Sequence, residues 1–316
     1  MSKHTTGIHH ITAFASDPQA NVDFYAGILG LRLVKKTINF DAPEVYHLYF
    51  GNEAGSPGTI ITFFPSPGSP KGEIGGGQVG ITTYIVPQGS LGFWENRLMD
   101  FGITVKKLNR FQEAYLQFAD NEGLGLEIVE RSEGPDSRWA FNGIPADKAI
   151  KGFGGAVLYS VNAESTMDTL QNVLGLTKVA EDGEYARFQA TGELGNIIDV
   201  PLVSMEWGVG GAGTVHHIAW RANDFDDHAE WQKEVMRKGF RPTQIIDRQY
   251  FNAIYFREYG GILFEIATDP PGFAKDEPAE SLGEKLQLPE WYEKHRAKIE
   301  QNLIPIQVRE VDGQLS

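Results

Sequence analysis

The chain has 316 residues and a formal net charge of −14, from 42 acidic against 28 basic residues; that balance argues against a nucleic-acid partner or an anionic membrane surface, because phosphate binding needs clustered positive charge. Cysteine is absent, which excludes disulfides, thiolate metal sites and cysteine nucleophiles, and leaves His, Asp and Glu as metal donors suited to iron(II), manganese(II) or zinc. The opening MSKHTTGIHH has no apolar stretch of signal-peptide type and no run of about 18 apolar residues occurs, so no membrane span is expected and the cytoplasm is the expected location.

Taken in chain order, one pattern recurs four times. IHHITAFAS leads into the amphipathic DPQANVDFYAGILGL, QVGITTYIV into SLGFWENRLMDFGI, GGAVLYSV into AESTMDTLQNVLGL, and VHHIAWRA into DFDDHAEWQKEVMRKGF. Each helical stretch closes on a glycine, Gly30, Gly102, Gly175 and Gly239, at separations of 72, 73 and 64 residues. A glycine there fits a helix end that turns through the left-handed region. Three strand-like stretches follow each glycine: LRLVKKTINF, VYHLYFG and GTIITFFP in the first copy; ITVKKLNRF, AYLQFAD and LGLEIVER in the second; LTKVAED, YARFQAT and NIIDVPL in the third; RPTQIIDRQ, AIYFREY and GILFEIAT in the fourth. Each unit reads β-α-β-β-β, with alternation suited to sheets that have one face on a core and the other towards a cavity. Linkers rich in Gly, Pro or Ser fall at 66–77, 132–150 and 206–213. The expected organisation is α+β: an N-terminal pair of modules over 7–131, a C-terminal pair over 152–272, and a tail over 273–316 that is charged and helical around PEWYEKHRAKIEQNL.

Units one and four alone open on a His doublet, His9-His10-Ile11 and His216-His217-Ile218. Asp17 and Asp224 follow the second histidine by seven residues, and Phe24 and Trp231 follow by another seven, so the two copies are in register. The matching positions in units two and three are read as Ile81 and Val157. A lone strand histidine is usually structural, but two at equivalent repeat positions converge if the units pair about a pseudo-twofold axis. Neighbouring strand residues face opposite ways, so one histidine of each doublet can be a ligand; His10 and His217 are chosen. Glu265, between Phe264 and Ile266, supplies a carboxylate whose inward burial is costly unless it is paired or metal-bound. Its counterpart in unit two, Glu127, is expected on the solvent side of its strand, and GTIITFFP in unit one has no carboxylate. Two His and one Glu match the facial triad of non-haem iron(II) oxygenases. If units one and four supply one ion, they must share one cup, with units two and three in the other.

These residues, together with DFYAGILGL and YFREYGGILFEIATDP, resemble the vicinal oxygen chelate superfamily, also called the glyoxalase and extradiol dioxygenase superfamily, over about residues 7–272. The resemblance implies βαβββ modules paired into two cup-shaped mixed sheets. Within the superfamily, the chain is most similar to ring-cleaving dioxygenases of hydroquinones, which take one His from unit one and His plus Glu from unit four; this chain has Val157 where catechol enzymes have a unit-three His. The resemblance implies Fe(2+), or Mn(2+), on His10, His217 and Glu265, with a small aromatic substrate and O2 as partners. It also implies catalytic roles for Tyr255, His216 and Arg248, and substrate contacts for Arg248, Thr12 and His9. Thr12 shares the strand parity of His10 and should face the cavity. Two other functions remain open: a metal-dependent isomerase of glyoxalase type, which usually carries two ligand carboxylates, and a non-catalytic protein that sequesters an aromatic or an antibiotic. Assembly with further copies of the chain is also open.

Overall fold

The structure, a computed structural model, describes residues 3–313. Module one comprises β1 (Ile8–Ala15), α1 (Pro18–Val22) running on as a π-helical turn over Asp23–Ile28, β2 (Arg32–Asn39), β3 (Ala42–Gly51) and β4 (Ile60–Pro65). Module two has β5 (Gln78–Val86), α2 (Leu91–Asp100), β6 (Lys106–Arg110), β7 (Glu113–Ala119) and β8 (Gly125–Glu130). Module three has β9 (Gly152–Tyr159), α3 (Ala163–Asn172), β10 (Thr177–Glu181), β11 (Tyr185–Gln189) and β12 (Ile197–Pro201). Module four has β13 (Val215–Ala222), α4 (Phe225–Arg237), β14 (Ile246–Asp247), β15 (Phe251–Arg257) and β16 (Leu263–Pro271). The helices start where the sequence offers caps: Asp17, Asn162 and Asp224 each accept from backbone N–H groups of the first turn. They end on Gly30, Gly102, Gly175 and Gly239, whose φ values of 68°, 74°, 76° and 91° exclude a side chain without strain. The apolar stripe of α4, with Trp231 and Val235 buried, packs against its own sheet.

The modules pair as ligand convergence requires. One eight-stranded sheet runs β14-β15-β16-β13-β1-β4-β3-β2, joining modules four and one through antiparallel β1 and β13. The other runs β10-β11-β12-β9-β5-β8-β7-β6, joining modules three and two through β5 and β9. A core cluster drawn from all four modules lies between these sheets and their helices, with Trp94, Trp220, Trp231 and Tyr25 fully buried.

Registers refine the repeat. His10 faces Ala219 and Thr12 faces His217 across β1 and β13; Ile81 faces Val157 and Thr83 faces Gly155 across β5 and β9. The place of His217 in module three therefore falls on Gly155, not on Val157 as the sequence suggested. Either way module three offers no histidine there. The stretch RPTQIIDRQ is strand only at Ile246–Asp247, and the tail helix is broken at His295 into α5 (Glu290–Glu293) and α6 (Arg296–Asn302). The tail opens with two short 3-10 turns, Phe273–Lys275 and Ala279–Ser281, and lies along module one: Gln287 N–H donates to the Lys36 carbonyl, and Arg309 pairs with Asp23. Among the described residues no helix is long and apolar enough to cross a membrane.

Candidate metal centre

β1, β13 and β16 lie side by side, and this brings His10, His217 and Glu265 together from opposite ends of the chain. All three are buried, and one donor atom from each lies within 4.8 Å of the others. Nε2 of His10 is 3.3 Å from Nε2 of His217; Glu265 Oε2 is 2.8 Å from the latter and 3.4 Å from the former.

The outer faces of these rings are held by the first histidine of each doublet. His9 Nδ1 is 2.9 Å from His10 Nδ1, and His216 Nδ1 is 2.8 Å from His217 Nδ1. The backbone at Thr268 accepts from His9, which leaves His9 Nδ1 as the acceptor for a proton on His10 Nδ1. His10 Nε2 then carries a bare lone pair aimed at the centre, and the second doublet repeats the Nδ1–Nδ1 contact behind His217. Burial lowers His9 well below the usual imidazole range and also lowers His217, while the Glu265 carboxylate opposes the shift at each. Both Glu265 oxygens are sealed from water with no hydrogen-bond partner. Two imidazole lone pairs and an unpaired buried carboxylate aimed at one point fit a divalent cation.

The centre floors a cavity of about 370 Å3 lined by Phe14, Phe40, Phe64 and Phe251 and by the polar Asp41, His47, Tyr49, Arg248 and Tyr255, among others. Arg248 Nε donates to the Tyr255 hydroxyl at 3.3 Å, and Arg248 Nη1 pairs with Asp41 at 2.9 Å across the cavity mouth, so neither is a free surface charge nor mere packing. His216 is open to the cavity. Two expected substrate contacts lie elsewhere. Thr12 is fully buried and accepts from the Thr62 hydroxyl at 2.9 Å, and His9 sits behind His10 against Phe251, facing a separate pocket; neither lines this cavity. His47 and Tyr49 were missed. The signal was present, since VYHLYFG and NAIYFRE place the pair Tyr49-Phe50 where Tyr255-Phe256 stands.

The second cup has equivalent positions and different chemistry. Glu127 is not solvent-facing: it is fully buried, accepting from Arg110 at 2.9 and 3.2 Å and from Gln117 at 3.1 Å. Asp199, paired with Val157 as Glu265 is with Ala219, accepts from Arg110 Nε at 2.6 Å and Arg187 Nε at 2.8 Å. Ile81 and Gly155 stand where the histidines would be, and the Arg110 guanidinium takes the place of a cation between the two carboxylates.

A family model described as "Glyoxalase/Bleomycin resistance protein/Dioxygenase superfamily" matches residues 7–128 and 152–273. The sequence is 57% identical over 312 residues, 99% of this chain and 100% of the relative, to "Putative ring-cleaving dioxygenase MhqO" of Bacillus subtilis (strain 168). It is 36% identical over 302 residues, 91% of this chain and 92% of the relative, to the chlorohydroquinone/hydroquinone 1,2-dioxygenase of Sphingobium indicum. A crystal structure from Bacillus subtilis subsp. subtilis str. 168, 57% identical, superimposes with a TM-score of 0.97 over 98% of this chain and 100% of that one. Glyoxalase I from Zea mays, only 12% identical, shares the fold with a TM-score of 0.61 over 83% of this chain and 92% of its own. A match that spans both halves of the chain, joined to relatives of this identity, settles its membership: the chain belongs to the glyoxalase/bleomycin resistance protein/dioxygenase superfamily.

Proposed function

We propose that this protein is an iron(II)-dependent dioxygenase that cleaves the ring of hydroquinone-like aromatics, with manganese(II) as the alternative ion, in cytoplasmic aromatic catabolism or quinone detoxification. The observation that carries the proposal is the convergence of His10, His217 and Glu265, with unpaired donors, on the floor of an aromatic-lined cavity. The ring-cleaving and hydroquinone-dioxygenase names of the relatives support the substrate class. An ion held there would bring one substrate hydroxyl and dioxygen side by side and pass electron density between them. The protein supplies the rest. Phe14, Phe64 and Phe251 sandwich a single ring, for which a cavity of about 370 Å3 has room. Arg248 holds the hydroxyl that does not reach the centre and the negative charge that develops on it. Tyr255, pushed up by burial and by Glu265, stays protonated beside His217 and can donate a proton near the dioxygen-derived oxygens; His216, which burial pushes down to about 3, is neutral on the open side and can accept one.

Catechol binds a metal through two adjacent oxygens, whereas hydroquinone reaches it through one and needs protein groups across the cavity for the other. An isomerase of glyoxalase type is disfavoured by Thr62, which stands in module one where a second ligand carboxylate would be and is already hydrogen-bonded to Thr12 and His47. The test is anaerobic loading with iron(II), then oxygen uptake with a panel of hydroquinones and catechols. Hydroquinones should be consumed and catechol weakly or not at all; faster turnover of catechol would refute the substrate class. Loss of a polar partner to a buried substrate group costs about 1–3 kcal/mol, so Arg248→Ala should slow hydroquinone turnover by roughly one to two orders of magnitude at unchanged metal content.

A further inference from the structure

Tyr49 occupies in module one the place that Tyr255 occupies in module four. Tyr49 faces Thr62 across β3 and β4, Tyr255 faces Glu265 across β15 and β16, and Thr62 and Glu265 hold matching places beside β1 and β13. The cavity is therefore flanked by two tyrosines, each with its own partner. Tyr255 has Arg248. Tyr49 has His47, whose ring lies against its own with centroids 4.0 Å apart.

The hydrogen bonds around His47 tie down both ring nitrogens. With the Thr62 hydroxyl proton directed to Thr12 at 2.9 Å, Thr62 accepts from His47 Nε2 at 2.8 Å, and in that tautomer Nε2 carries the proton. His47 Nδ1 is then a lone pair, and at 2.8 Å it accepts from the Tyr49 hydroxyl. With its proton turned towards His47, Tyr49 Oη has only lone pairs to offer the cavity. Burial raises Tyr49 and lowers His47, so both rest neutral; His10, His217, Arg248 and Glu265 surround His47, and Tyr255, Glu265 and Arg248 surround Tyr49. Nothing in the ring-cleavage reading above uses this pair.

We propose that Tyr49 accepts the proton of the second substrate hydroxyl, the one not held at the His10–His217–Glu265 centre, and passes its own to His47. The inference rests on the hydroquinone-cleaving reading and assigns the base that reading lacks. The substrate O–H bond breaks towards Tyr49 Oη as the Tyr49 proton moves across 2.8 Å to His47 Nδ1. The electron pair stays on the substrate oxygen and pushes into the ring, with Arg248 holding the charge. His47 becomes an imidazolium whose Nε2–H stays on Thr62, and the proton returns by the same route to the ring-opened product. Tyr49 is thus a catalytic residue and His47 a positioning residue that acts through it.

The test compares hydroquinone with its mono-O-methyl ether in wild type, Tyr49→Phe and His47→Asn, each loaded with iron(II) under anaerobic conditions. In the absence of dioxygen, wild type should bind hydroquinone at least roughly fivefold more tightly than the ether, since only the diol donates to Tyr49, and Tyr49→Phe should erase that preference. In turnover both variants should lose roughly 100-fold in kcat with KM within about threefold and metal content unchanged. Asn keeps an acceptor for Tyr49 and a donor for Thr62 but takes no proton, so a defect in kcat alone separates proton transfer from packing. Tyr49→Phe that keeps both the binding preference and wild-type kcat overturns the proposal and leaves ring cleavage standing. A wild type that consumes no dioxygen with any hydroquinone overturns both.

Discussion

Glu265 lies on an otherwise apolar strand between two fully buried neighbours, Phe264 and Ile266, and its two oxygens have no hydrogen-bond partner. Glu127, its counterpart, is equally buried but is held by Arg110. The same residue at the same register is an unpaired donor in one cup and half of an ion pair in the other, and the nearest cation source decides which. Metal content should therefore collapse in His217→Ala and Glu265→Gln and stay near the wild-type value in Glu127→Gln, measured by elemental analysis after loading. An empty centre in Glu127→Gln would mean that the ligands had been drawn from the wrong modules. Glu127→Gln should be less stable instead, by about 3–5 kcal/mol, because Arg110 loses half of its buried compensation. At this scale the doublets and Glu265 were legible as an unusual repeat. Thr12 was misread, because strand parity gives the face and not the depth, and a fully buried Thr62 lies beside it on that face. Glu127 was misread because a carboxylate between apolar neighbours on a strand looks alike whether its partner is solvent or an arginine 17 residues away.

The tail gives the element scale its clearest case. The sequence predicts one surface helix; the chain instead forms a strap that bridges to β2 through Lys36 and Leu286, and whose α5 pins the β2–β3 turn. Tyr292 donates to the Phe40 carbonyl at 3.0 Å, and Trp291 meets the Phe40 ring edge-on at 5.8 Å. Phe40 and Asp41 of that turn line the mouth of the cavity, where Asp41 pairs with Arg248. The strap therefore sets the position of the lip without touching the centre. Trp291→Ala or Tyr292→Phe should raise KM for hydroquinone roughly fivefold, the worth of about one hydrogen bond, while kcat and metal content hold. A fall in kcat with KM unchanged would show that the strap acts on the chemistry instead. At the break the His295 N–H donates to the Tyr292 carbonyl and closes α5, while the His295 carbonyl accepts from Lys298 and Ile299 and opens α6.

For the whole molecule, the second cup provides a counterweight to the first. Glu113 accepts from Arg131 at 2.6 Å, from Tyr115 at 2.7 Å and from Arg187, and Arg187 continues to Asp199 and so to Arg110 and Glu127. Burial would raise the Glu113 carboxyl, but Arg131, Tyr115 and Arg187 bring it down to about 2. A carboxyl lowered on folding adds stability above its unfolded value of 4.5, and that contribution disappears as pH falls from 4.5 towards 2. Denaturant unfolding should thus lose roughly 1–2 kcal/mol from this partly exposed group across that window, and Glu113→Gln should flatten the acid limb; an unaltered limb would sink the assignment. The sequence by itself determined the β-α-β-β-β module, its fourfold repetition, the glycine-closed helices and the three residues able to hold a cation, because strand and helix periods, caps and a doubled histidine are local signals. Only the tertiary structure decided which sheet each carboxylate faces, that Gly155 and not Val157 answers to His217, that Arg110 fills the second cup, and that His47 and Tyr49 close the first. Those outcomes depend on register between paired strands, and a shift of one or two residues there exchanges the side chains that meet without altering any local pattern.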